Sequence, residues 1–92
     1  MAFDPDQRIV RSAEALATEV GGELVLMSIV DGRYYGLDPV GSEIWRQLES
    51  ATTTAVLCRE IQSRFHGDAE RIERETLAFV DTLAENGLVG PV

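Results

Sequence analysis

The sequence predicts an α+β domain, a three-stranded antiparallel sheet followed by three helices. Three observations predict it. Asp31-Gly32 separates two runs rich in branched and aromatic residues, the signal of a tight hairpin turn. Asp38-Pro39 is a strong helix start, with a carboxylate N-cap and proline at the first helical position. From Val40 onward, apolar residues recur at helical spacing in three blocks separated by two breaks. With strands first and helices after in 92 residues, the helices are expected to cover one sheet face.

The chain begins with Met1 to Gln7, where Asp4, Pro5 and Asp6 suggest a loose end. Arg8 to Arg11 reads as a stray strand or an ordered arm. Residues 1–15 are therefore expected to form a flexible N-terminal arm and 16–92 the domain. Leu16 to Val20 alternates loosely, and Gly21-Gly22 turns it into the next strand. Leu24 to Val30 is apolar throughout, which fits a strand largely covered on both faces. After the turn, Arg33 to Leu37 returns as the third strand. Alternation puts Tyr35 and Leu37 on the inner face with Arg33, and Tyr34 and Gly36 on the other. Gly36 marks either a bend in an ordinary hairpin or a place where another backbone comes close.

The first helix is expected over Pro39 to about Glu49, with Val40, Ile44, Trp45 and Leu48 as its apolar stripe. Gly41 costs helix propensity there and is either a glycine tolerated in the first turn or one that permits a close contact. Hydroxyl caps around Thr52 to Thr54 start a second helix, about Ala55 to Phe65, striped by Leu57, Ile61 and Phe65. His66-Gly67 is expected to end it through a glycine at C′. Asp68 caps a third helix, Ala69 to about Asn86, whose inward stripe is Ile72, Thr76, Phe79, Val80 and Leu83. Leu77 falls roughly 120° from that stripe at about 100° per residue. Gly87 follows as a C-cap and Leu88-Val89 tucks back. The last two helices, joined at His66-Gly67-Asp68, resemble a helix-turn-helix, and with the sheet the chain reads as a winged helix-turn-helix.

Composition narrows the function. Sixteen Asp and Glu oppose eight basic residues, all arginine, for a formal charge of −8. Such a balance works against phosphate backbones. The third helix with its cap carries Asp68, Glu70, Glu73, Glu75, Asp81 and Glu85 against only Arg71 and Arg74, so nucleic acid is not the expected partner. The lone Cys58 makes no internal disulfide or metal cluster, and no metal or cofactor is expected. No signal peptide and no membrane-length apolar run is present, which predicts a cytoplasmic protein without a membrane partner. No His pair, phosphate-binding glycine loop or nucleophile elbow appears, so an enzyme is not expected.

What remains is a binding module. The third strand is a sheet edge with unpaired N–H and C=O groups, able to take an extended peptide as a fourth strand. The third helix would form the other wall, with the tyrosines and Leu77 as anchors.

The segments GGELVLMSIVDG, RYYGLDPVG, EIW and FVDTLAENGLV, in this order and spacing, resemble a PqqD-like protein, the RiPP recognition element. The resemblance spans about Ala17 to Val89. It implies a winged helix-turn-helix that captures the leader segment of a ribosomally made precursor peptide and delivers it to a maturation enzyme. It implies a peptide-binding site on Arg33, Tyr34, Tyr35, Gly36 and Leu37, with Arg74, Leu77, Ala78 and Asp81 on the third helix. A small free-standing domain with YYGLD is similar to the leader-binding protein of lasso-peptide pathways, whose partner is a separate leader peptidase. The alternatives are a PqqD-type chaperone of the pyrroloquinoline quinone precursor and an acidic winged-helix regulator or protein–protein adaptor.

Overall fold

A computed structural model describes residues 3–29 and 31–92. The element order is β1 (Ile9–Arg11), β2 (Ala15–Val20), β3 (Glu23–Ser28), β4 (Tyr34–Leu37), α1 (Pro39–Gln47), α2 (Thr54–Arg64), α3 (Ala69–Glu85) and β5 (Val89–Pro91). The class is α+β: β2, β3 and β4 form an antiparallel sheet in that spatial order, and three helices follow.

The central hairpin forms where the turn signal placed it. Gly32 takes φ 69°, the left-handed conformation that the turn demands, and its N–H donates to the Ser28 carbonyl at 2.9 Å. Leu26 stands opposite Tyr35 and Leu24 opposite Leu37. These residues point inward, onto α1 and α3. Val30, the expected last residue of the second strand, lies outside the described residues.

The second strand differs from expectation in its faces. Leu24, Leu26 and Ser28 are buried, whereas Val25 and Met27 are only half-buried. The helices cover a single face, because a chain this short has no second layer to place on the other. The apolar run is thus one-sided, and its outer half remains in contact with water.

Each helix begins as its cap dictates. The Asp38 carboxylate accepts from the Gly41 N–H at 2.7 Å, the Thr53 hydroxyl accepts from the Val56 N–H, and the Asp68 carboxylate accepts from the Glu70 N–H. Trp45, Ile44, Leu48, Leu57, Ile61, Val80 and Leu83 meet Leu24, Leu26 and Leu37 in one core.

Two ends differ from the sequence reading. α2 stops at Arg64 in an extended Phe65 (φ −122°), not through Gly67, because Phe65 turns back to pack against the core. α3 does close through Gly87. The Leu88 N–H donates to the Leu83 carbonyl and the Gly87 N–H to the Ala84 carbonyl, the paired bonds of a Schellman motif. That closure aims Leu88 and Val89 into the core and starts β5.

β5 pairs antiparallel with β1, so a second, two-stranded sheet ties residues 9–11 to the C-terminal segment. Ile9 is fully buried and exchanges two main-chain hydrogen bonds with Thr52. The packed unit therefore reaches back to Ile9, into the segment expected to be an arm. Two apolar residues flanked by arginines carry too little periodicity to reveal such a pairing.

Candidate functional site

β4 is an edge of its sheet, and its Tyr35 reaches Asn86 at the end of α3. The Ser28 N–H donates to the Arg33 carbonyl at 2.9 Å, which fixes the phase of the ladder. Antiparallel hydrogen bonding alternates along a strand, so Tyr35 and Leu37 address β3 while the N–H and C=O of Tyr34 and Gly36 point to the open side. Tyr34 is 71% exposed, and a Cβ built on Gly36 meets no atom within 4 Å. Open space surrounds the middle of the edge strand.

The wall opposite is set by one bond. The Tyr35 hydroxyl donates to Asn86 Oδ1 at 3.1 Å, and the Asn86 amide donates onward to the Thr82 carbonyl at 2.8 Å. A half-buried tyrosine seeks a partner for its hydroxyl, and here that need ties the edge strand to the end of α3. On the α1 side lies a hollow of about 110 Å³ lined by Asp38, Val40, Gly41, Ile44, Glu75 and Phe79. Gly41 is required here: a Cβ would lie 3.2 Å from Asp38 Oδ1 and 3.4 Å from Phe79 Cζ. On the hairpin side lies a hollow of about 180 Å³ bordered by Glu14, Ser28, Asp31, Asn86, Gly87 and Leu88.

The strip of α3 that turns toward β4 is therefore Glu75, Phe79, Thr82 and Asn86, spaced at helical intervals. Ala78 sits exposed at its margin. Leu77 is half-buried on the other side of the helix, where it lines a hollow with Pro5, Thr54, Ala55, Cys58 and Glu73. Arg74 and Asp81 lie between Ala78 and Leu77 around the helix by spacing, Arg74 exposed and Asp81 half-buried. The structure thus brings Tyr34, Tyr35, Gly36 and Leu37 together on β4 with Ala78 at the margin of the facing strip, and it turns Leu77 toward α2. Leu37 is core, 5% exposed, and supports the strand from beneath.

Arg33 stands at the mouth of the hairpin. Its N–H donates to Asp31 Oδ1 at 3.1 Å and its guanidinium lies 3.8 Å from the same carboxylate. The Arg33 N–H, helped by the Ser28 hydroxyl and the Arg33 charge, holds the Asp31 carboxyl below its ordinary range.

The sequence gives no site signal for Thr82 or Asn86, names Glu75 only as one of the acidic residues of the helix, and shows Phe79 only as core. The one available signal was the polar tip of Tyr35, which had to find a partner once the ring was placed inward. Which residue supplies it depends on the rotation of α3 about its axis.

Among the described residues, no group of three or more His, Cys, Asp or Glu is placed to hold a metal ion. No described helix is long and apolar enough to cross a membrane.

The chain is similar to TbiB1 in complex with the TbiA(beta) leader peptide, at 30% identity over 87% of this chain and 93% of that one, with a TM-score of 0.76. It also shares its fold with a lasso peptide synthetase B1 complexed with the leader peptide, at 23% identity over 90% of this chain and 98% of that one, TM-score 0.76. No curated protein matches. The family model for coenzyme PQQ synthesis protein D matches residues 23–89, which hold the hairpin, the groove and all three helices, and the chain belongs to the PqqD family.

Proposed function

We propose that this protein is a non-catalytic RiPP recognition element, which binds the leader segment of a ribosomally made precursor by adding it as a strand to β4. The observation that carries the reading is the open edge of β4. Its outward main-chain groups at Tyr34 and Gly36 are flanked by a groove whose far wall, Glu75 to Asn86, is held by the Tyr35–Asn86 bond. Main-chain hydrogen bonds would supply affinity there, and the hollow floored by Val40, Ile44 and Phe79 would receive an apolar side chain. The similarity to TbiB1 with its leader peptide supports the same reading and favours a lasso-peptide pathway, with a separate leader peptidase or other maturation enzyme as second partner. A cytoplasmic location fits these partners.

The winged helix-turn-helix description belongs to this proposal. α2 and α3 stand as the helix pair and the β2–β3–β4 sheet as the wing. α3 exposes Glu70, Glu73, Glu75 and Glu85, so its surface repels a phosphate backbone.

An amide-resolved titration with synthetic leader peptides tests the proposal. Shifts concentrated on Tyr34 to Leu37 and on Phe79, Thr82 and Asn86 are expected. Shifts confined to other surfaces, or binding to duplex DNA in preference to every peptide, would overturn it.

A further inference from the structure

The sheet has two edges. β4 is tied to the end of α3 through Tyr35 and Asn86, whereas no described strand pairs with the outer edge of β2, where every residue from Leu16 to Val20 is exposed and Glu19 meets Arg46 of α1 at 3.4 Å. We propose that the free edge of β2 pairs with the same edge of a second copy of the chain, in a two-fold antiparallel ladder centred on Thr18.

The phase of the β2–β3 ladder comes first. The Ile29 N–H donates to the Glu14 carbonyl at 3.0 Å, so residues 14 and 29 form a hydrogen-bonded pair. Alternation then turns the main-chain groups of Leu16, Thr18 and Val20 toward β3. The N–H and C=O of Ala17 and Glu19 face the open side.

The edge lacks the devices that keep such strands apart. Its register with β3 runs without a bulge, and it contains no proline and no lysine. Its one charged side chain is Glu19.

Self-pairing must match Ala17 and Glu19 with odd-numbered positions of the other copy, which leaves few registers. Centred on Thr18, Ala17 lies opposite the partner's Glu19 in a hydrogen-bonded pair, and no two carboxylates face each other. Leu16 then lies opposite the partner's Val20 at a non-hydrogen-bonded site, where cross-strand side chains come closest. These two side chains are 51% and 62% exposed in the single chain. Centred on Glu19, the ladder would set carboxylate against carboxylate. Centred on Ala17, it would set Val20 against the partner's Glu14 and leave Leu16 against the partner's Thr18. Of these three registers, only the one centred on Thr18 joins apolar to apolar and separates the charges.

The outer face of the sheet continues across such a junction. Leu16, Val25, Met27 and Tyr34 share that face by register, and no helix lies on it. Pairing through β2 makes a six-stranded sheet with the two β4 edges outermost, so both grooves stay open. The inference therefore stands apart from the peptide-binding proposal.

A single strand pair buries far less than the roughly 1,200 Å² of a stable interface, so the association is weak and reversible. Each copy carries a formal charge of −8, and salt strengthens pairing by screening that repulsion.

Sedimentation equilibrium of the full chain tests this, from about 0.05 to about 0.5 M salt. A concentration-dependent dimer that tightens with salt is expected. Ala17→Pro removes an outward donor without touching the ladder to β3, and should leave a monomer with an unchanged melting temperature. Ala17→Glu sets a carboxylate against the partner's Glu19 and should weaken dimerisation roughly tenfold, while Ala17→Lys should tighten it by a similar factor. These two exposed substitutions decide the matter if the proline variant melts early. Isotope-filtered contacts between Leu16 and the partner's Val20 would fix the register. A wild type that stays monomeric up to roughly 1 mM, or a dimer indifferent to all three substitutions, would overturn the proposal.

Discussion

The Tyr35 hydroxyl and Asn86 Oδ1 meet at 3.1 Å, 51 positions apart in the chain, and join the edge strand β4 to the last turn of α3. This bond lies at one end of the groove and ties its two walls together. It also spans the two segments that a leader peptide would have to touch at once.

Removing the bond should loosen the groove. Tyr35→Phe keeps the ring but strands the Asn86 acceptor, and should cost about 1 kcal/mol, a fall in Tm of roughly 4–8 °C for a domain of this size. Asn86→Ala should cost a similar amount. The double variant should lose clearly less than the sum, because both changes remove one interaction. Additive melting shifts would show that the bond carries no coupling.

The outward main-chain donor of Gly36 supplies a second test. Gly36→Pro deletes an N–H that faces the open side and leaves the β3 ladder intact. Leader affinity should fall about tenfold, consistent with one lost hydrogen bond of roughly 1 kcal/mol or somewhat more. Gly36→Ala meets no atom within 4 Å and should fold as well as the wild type. Calorimetric titration beside thermal melts reads both effects.

The two sides of α3 should respond oppositely. Thr82→Arg places a long cation on the exposed strip facing β4 and should reduce leader binding with little change in Tm. Leu77→Asp puts a carboxylate beside Glu73 and the α2 hollow, and should lower stability by about 1–3 kcal/mol while leader affinity holds. Loss of binding from Leu77→Asp in a fully folded protein would move the groove to the other face of the helix.

Cys58 gives the protein an alkaline limit. Burial, with the nearby Glu73 charge, pushes its thiol above the ordinary 9.0. The folded state thus favours the neutral thiol, and the stability this contributes is fully present below about pH 9 and lost as pH rises through the folded value. Cys58→Ala should flatten the fall in Tm on the alkaline side. At neutral pH the wild-type thiol should react slowly with alkylating reagents until the protein unfolds. Rapid labelling of the folded chain would contradict the burial.

Gly41 is a packing position. Gly41→Val would drive side-chain carbon into Asp38 and Phe79, and should destabilise by about 1–3 kcal/mol despite the better helix propensity of valine. A melting temperature equal to that of wild type would mean that Phe79 moves aside freely.

The sequence by itself determined the elements whose causes are local. Asp31-Gly32 imposed the hairpin, Asp38-Pro39, Thr53 and Asp68 imposed the helix starts, and Gly87 imposed the end of α3, because turns and caps are satisfied by residues a few positions apart. The alternation through Tyr34 to Leu37 likewise told which residues face inward. Only the tertiary structure decided the rest. The pairing of Ile9–Arg11 with Val89–Pro91 joins opposite ends of the chain, and no local pattern records it. The rotation of α3, which turns Phe79, Thr82 and Asn86 toward β4 and Leu77 toward α2, depends on how Thr76, Val80 and Leu83 seat in a core built from every other element. A helical stripe shows which side chains are buried, but the neighbours on its flanks are fixed only when the whole core closes.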